Sequence, residues 1–159
     1  MKKLMELKKR KKNNKGFSLV ELIIVIAIMA VLVAVLAPQF LKYVERSRNS
    51  TDAQNATAIA TALQTWYADP SATMPADKAT GTVTVNEKDA PTITDGSSNF
   101  ISDALANAGL SKVTCKSKTA WTSYTVTYTI TNGSIVITYG DTKFSNYMAS
   151  GSTSTSASK

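Results

Sequence analysis

Leu22 to Ala37 is an unbroken apolar run, and Phe17 to Glu21 extend it upstream with Ser18 and Glu21 as the only polar residues. At about 1.5 Å per residue a helix over Phe17–Ala37 spans roughly 30 Å, the thickness of a bilayer's hydrocarbon core. Such a helix is apolar all round and must be covered on every side, by lipid or by other apolar segments. A carboxylate carried to the centre of a bilayer costs roughly 2.5–3.5 kcal/mol, so Glu21 in this segment needs a reason. Pro38 interrupts the run; within a helix it removes one backbone bond and kinks the axis.

The chain has 159 residues and a formal net charge of +7, which by itself suggests a binder of nucleic acid or of an anionic membrane. The distribution of charge argues otherwise. Lys2, Lys3, Lys8, Lys9, Arg10, Lys11, Lys12 and Lys15 all precede Phe17, where Glu6 is the only acid; from Phe17 onward the chain has ten bases and ten acids. The excess is therefore a topogenic signal, a basic arm that stays in the cytoplasm beside an apolar helix. There is no histidine, which removes the commonest general base and metal ligand. With no clustered metal-ligand spacing and no phosphate-binding loop, neither an enzyme nor a bound cofactor is expected. Cys115 is the sole cysteine, so no intrachain disulfide can form, and a small apolar role in or near a strand is expected of it.

Helical periodicity continues past Pro38. Ala53, Ala56, Ile59, Ala60, Leu63, Trp66 and Tyr67 recur at three- and four-residue spacing, with Asp52, Gln54, Asn55, Thr57 and Gln64 assigned to the opposite, solvated face. Asp69-Pro70 is a natural stop. One helix is expected from about Phe17 to about Ala68, apolar in its first half and amphipathic in its second. Residues 70–98 read as a connecting region with a short strand at Thr82–Val85, and Asn99–Ala108 as a short helix stopped by Gly109. Lys112–Lys118 is a candidate strand. Ser123–Thr131 alternates strictly, Asn132-Gly133 is a two-residue hairpin turn, and Ser134–Tyr139 returns. The hairpin's apolar face is expected to pack on the apolar stripe of the long helix. The Ser/Thr-rich segment 150–159 is expected to be disordered. The fold class is α+β, a long N-terminal helix on a small antiparallel sheet. The expected parts are a leader (1–16), an apolar helix (17–38), an amphipathic helix (39–69), a globular region (70–149) and the tail.

The basic leader ending in Gly16, the stretch Phe17-Ser18-Leu19-Val20-Glu21-Leu22-Ile23, the apolar run and Pro38 together resemble type IV prepilins. The resemblance implies cleavage between Gly16 and Phe17 by a membrane-embedded prepilin peptidase and methylation of the new Phe17 amine. Glu21 would then pair with the Phe17 amine of an adjacent subunit as a filament grows. The implied partners are copies of the chain itself, the peptidase, the cytoplasmic membrane before assembly, and an ATPase-driven assembly platform. The implied location is the cytoplasmic membrane as a single-pass precursor and then the cell surface. Two departures stand out: Ala30 lies where many relatives carry a helix-loosening Gly, and the lone Cys115 cannot form the disulfide that closes many relatives' C-terminal regions.

Several rival readings compete. A secretory signal cut after Ala37 would place Pro38 directly after the scissile bond, and Glu21 would spoil its apolar region. An uncleaved anchor carrying a binding module explains the arm and the span but gives Glu21 no use. A pseudopilin of a secretion or DNA-uptake apparatus shares the signal. Lys112, Lys116 and Lys118 beside Trp121 could touch phosphates, but they read as a solvated face, and nucleic acid is not expected as a partner.

Overall fold

The computed structural model describes residues 16–96 and 99–151. Its contacts divide the chain into one unit ending at Leu41 and a second beginning at Lys42. The elements run α1 (Leu19–Tyr67), β1 (Thr80–Asn86), β2 (Thr92–Thr94), α2 (Phe100–Asn107), β3 (Ser123–Thr131), β4 (Ser134–Gly140) and α3 (Thr142–Ser150). This is the expected α+β class. Pro38 lies inside α1 without ending it.

In the first unit α1 is exposed on all sides. Its large apolar side chains from Leu22 to Leu36 are each 46–65% exposed, so no face of this helix is reserved for its own chain. By length and composition α1 can cross a membrane.

The second unit is built on a four-stranded antiparallel sheet in the order β2-β1-β3-β4. The hairpin forms in the expected register, with Thr131 opposite Ser134 and Tyr128 opposite Ile137. Asn132 and Gly133 take φ of 51° and 71°, the left-handed pair that a tight hairpin turn requires. Alternation then sorts the faces. Val83, Val85, Tyr124, Val126, Tyr128 and Ile130 point into the core, while threonines take the outward positions between them. Against the inner face lie Ala56, Ile59, Ala60 and Leu63 of α1 and Phe100, Ile101, Ala104 and Leu105 of α2. The strand expected at Thr82–Val85 is the centre of β1, and the helix expected over Asn99–Ala108 is α2. At Gly81 any Cβ would collide with Tyr128, Asp95 and Ile101, which is how α2 comes so close to β1.

Three expectations are corrected. Lys112–Lys118 is not a strand: its one sheet-like bond runs from the Cys115 N–H to the Asn86 carbonyl, and side chains of α1 take the amides of Lys116, Ser117 and Lys118. Asp52 is not on a solvated face but fully buried. α3 was not expected; it places Phe144 in the core, stacked on Tyr124 at 4.3 Å and edge-on to Trp121 at 5.0 Å. Of the tail expected to be disordered from residue 150, Ser150 closes α3 and residues 152–159 lie outside the described residues.

Leu63 is completely buried between α1 and the sheet. Leu63→Ala is expected to destabilise the second unit by about 2–5 kcal/mol, the range for a buried Leu truncation that leaves a cavity. A denaturant midpoint unchanged from wild type would contradict this packing.

Candidate functional site

Gly16 and Phe17 are the expected processing junction. Gly16, Phe17 and Ser18 precede α1 in neither helix nor strand. Phe17 is 90% exposed, and among the described residues nothing lies within 4 Å of where a Cβ on Gly16 would sit. The peptide between them is therefore open to another molecule. Residues 1–15 of the expected leader lie outside the described residues.

Glu21 already has a partner within its own chain. The Ser18 backbone N–H donates to Glu21 Oε2 at 2.8 Å, and the Leu22 N–H donates to the Ser18 carbonyl at 3.2 Å. Ser-x-x-Glu at a helix start is the capping-box spacing, in which the third helical residue reaches back to a free amide. The carboxylate also sits at the positive end of the helix dipole. The spacing is visible in the sequence, where the contact expected with a second chain overshadows it. The amine of a processed Phe17 would lie one residue from the amide Glu21 now holds.

A second carboxylate arrangement lies in the folded unit. Glu45, Asn49, Asp52, Ala56, Ile59 and Leu63 are separated by four and three residues in turn, so they share one stripe of α1. The stripe is polar at one end and apolar at the other. Asp52 Oδ1 accepts from the Lys116 N–H at 2.7 Å; Asp52 Oδ2 accepts from the Ser117 N–H at 2.9 Å, Trp121 Nε1 at 2.9 Å and the Cys115 thiol at 3.3 Å. Two turns earlier, Glu45 Oε1 accepts from the Ser117 hydroxyl at 2.9 Å, the Lys118 N–H at 2.7 Å and the Thr119 N–H at 2.8 Å. Two acids of one helix thus hold this segment by four amides, from Lys116 to Thr119, and by the side chains of Cys115, Ser117 and Trp121.

The titration of these groups follows from that geometry. Burial raises the Glu45 carboxyl, but the Lys118 and Thr119 amides and the Ser117 hydroxyl outweigh it and bring it from 4.5 to about 2. Burial and then the Asp52 charge push the Cys115 thiol from 9.0 up to about 12. It is a buried, protonated thiol that donates to Asp52, so it is not the purely apolar side chain expected of it. Burial, with the Asp52 charge next, also raises the Tyr124 hydroxyl. Lys118 pairs with Glu87, whose carboxyl that contact lowers, and Lys116 donates to the Thr114 hydroxyl. Trp121 is buried, so the basic residues around it frame no stacking surface. Among the described residues, no group of three or more His, Cys, Asp or Glu side chains converges on a metal position.

The family model of the prokaryotic N-terminal methylation motif matches residues 11–37. The chain carries the class III signal of type IV prepilins. The match takes in Gly16, Phe17, Glu21 and the whole apolar run and stops one residue short of Pro38. The motif supports a type IV pilin-like protein, and it points to a structural rather than a catalytic role. It also implies processing by a prepilin peptidase and membrane anchoring. No curated protein and no solved structure matches the chain.

Each carboxylate of this clamp generates a test. Asp52→Asn turns an amide NH2 toward buried donors and is expected to cost about 3–5 kcal/mol, since each buried group left unpaired costs about 1–3 kcal/mol. Native Cys115 is then expected to react with maleimide only on unfolding, and in Asp52→Asn under native conditions; equal labelling in both would contradict the clamp. Glu45 has a folded value below its unfolded one, so its stabilisation is complete above about pH 4.5 and is lost as pH falls through about 2. Acid titration of unfolding should show that loss in wild type and a shallower one in Glu45→Gln.

Proposed function

We propose that the chain is the structural subunit of a type IV pilus, which assembles through its N-terminal helix after its leader is removed. Prepilin peptidase cuts between Gly16 and Phe17, residues 1–16 are discarded, and the Phe17 amine is methylated. Methylation keeps the positive charge, so the amine still attracts a carboxylate. In the membrane, Glu21 is held by the Ser18 amide of its own chain. During assembly it turns to the Phe17 amine of a neighbouring copy, where charge matching sets the stagger between helices while desolvation offsets much of the attraction. Residues 17–38 form the filament core, 39–69 join it to the globular region 70–149, and Pro38 relieves the helix between them. An ATPase-driven platform supplies the work of lifting the helix out of the cytoplasmic membrane onto the cell surface.

One observation supports this above others: a prepilin signal opens directly into a helix whose apolar side chains from Leu22 to Leu36 nothing in the described chain covers. Lipid covers such a helix before assembly, and other copies cover it afterwards. Glu21→Ala is expected to leave membrane-bound monomer without its leader and to lower surface fibres about tenfold or more, since a loss of ~1.4 kcal/mol weakens each joining step about tenfold. Fibres at wild-type level would contradict the role given to Glu21.

A further inference from the structure

The bases of α1 are bunched just past its apolar run. They are Lys42, Arg46 and Arg48, all within two turns of Leu41, and from Asn49 to Tyr67 there is none. The helix dipole does not account for this, because it favours cations in the last turn, which has no base. Ion pairing does not account for it either. Arg48 pairs with Glu45 at 3.4 Å, and Glu45 and Asp52, the acids of this half, are both committed to the segment after Thr114. Among the described residues Lys42 and Arg46 enter no ion pair. Both are exposed and stand four residues apart, so they share one face. Tyr43, 62% exposed, lies beside them, and the Arg46 guanidinium sits 6.0 Å from its ring centroid.

Their place along the helix matches a membrane interface. Ala37 ends the apolar run, and helical rise puts Lys42 about 7.5 Å and Arg46 about 13.5 Å further along. Headgroups occupy roughly 5–8 Å beyond each edge of the hydrocarbon core. Helical side chains lean toward the N-terminus, here toward that layer, and long cationic ones extend their stems along it. Lys42 therefore lies in the layer and Arg46 reaches back into it. Tyrosine favours the same depth, where its ring meets the acyl boundary and its hydroxyl stays wet. The ring contact steadies the Arg46 guanidinium and leaves its N–H groups free to fork onto phosphate oxygens.

We propose that Lys42 and Arg46, with Tyr43 beside them, bind the phosphate of an anionic phospholipid in the leaflet opposite the basic arm. A zwitterionic lipid carries the same phosphate with a cation attached, so the face prefers anionic headgroups. The contact holds the waiting chain at one depth: moved outward by a single turn of about 5.4 Å, Lys42 leaves the headgroup layer. This rests on the reading of the chain as a membrane-anchored filament precursor.

The test reconstitutes the full-length chain in vesicles of equal parts phosphatidylglycerol and phosphatidylcholine and recovers it by flotation. Native mass spectrometry then identifies the lipid it retains in mild detergent. Wild type is compared with Lys42→Gln, Arg46→Gln, the double variant, and Lys112→Gln as an exposed cation in the folded unit. Gln is a good helix former, and flotation reports insertion of every variant. The basic arm is the same throughout, so differences between variants read this face alone. Retained phosphatidylglycerol is expected to fall about fivefold for each of the two charges removed from α1 and to hold steady in Lys112→Gln. Millimolar inorganic phosphate should leave the lipid in place. Equal retention by wild type and the double variant, or an equal loss in Lys112→Gln, would overturn the proposal and leave the filament reading standing. So would release of the lipid by inorganic phosphate, or a gel shift of duplex DNA that the same two substitutions abolish. Wild type that fails to float with the vesicles would overturn both.

Discussion

The apolar half of α1 has no cover of its own, and the rest of the molecule is arranged around that fact. Apolar surface left in water costs about 25 cal/mol per Å², so a helix exposed on all sides from Leu22 to Leu36 must live in lipid or among other helices. Either solvent satisfies the helix equally well, as the proposed passage from membrane to filament requires. Position then depends on polar features: a basic arm that fixes orientation, and Glu21 at the helix start. Between Ser18 and Leu36, Glu21 is the only side chain that can distinguish lipid from a neighbouring chain bearing a free amine.

The folded unit meets a different constraint, because no disulfide ties its C-terminal region. Asp52 and Glu45 fill that place. A covalent staple acts mainly on the unfolded chain, whereas these carboxylates act in the native state by satisfying amides that would otherwise need a strand. That is why the segment around Cys115 can be extended and buried without joining the sheet. It also explains the unreactive thiol, which donates to Asp52 and is pushed up to about 12 by burial and that charge.

Much of this architecture is legible in the sequence. The apolar run, the amphipathic half of α1, α2 and the hairpin come from period and turn chemistry, which are local. The features that are not legible are non-local or require polar residues to be treated as core. Asp52 stands four residues before Ala56 and seven before Ile59, on the buried stripe, but its charge suggests the solvated face. Lys112–Lys118 does alternate buried and exposed as a strand would; its amide partners are side chains some seventy residues away, which no local pattern can show. α3 does leave marks: Asp141 as a cap accepting from Lys143 and Phe144, then Phe144, Tyr147 and Met148 at helical spacing, and Gly151 as a stop. The Ser18–Glu21 capping box is equally readable. The Gly16–Phe17 junction rests on the prepilin signal and on its exposure.

The measurement closest to the centre of this picture is mass spectrometry of the protein recovered from surface-sheared material. An N-terminus at Phe17, carrying a methyl group, in abundant fibres is the expected result. An N-terminus at Met1 or at Pro38 would contradict it, because Phe17 would then never offer the amine that the proposed pairing with Glu21 needs.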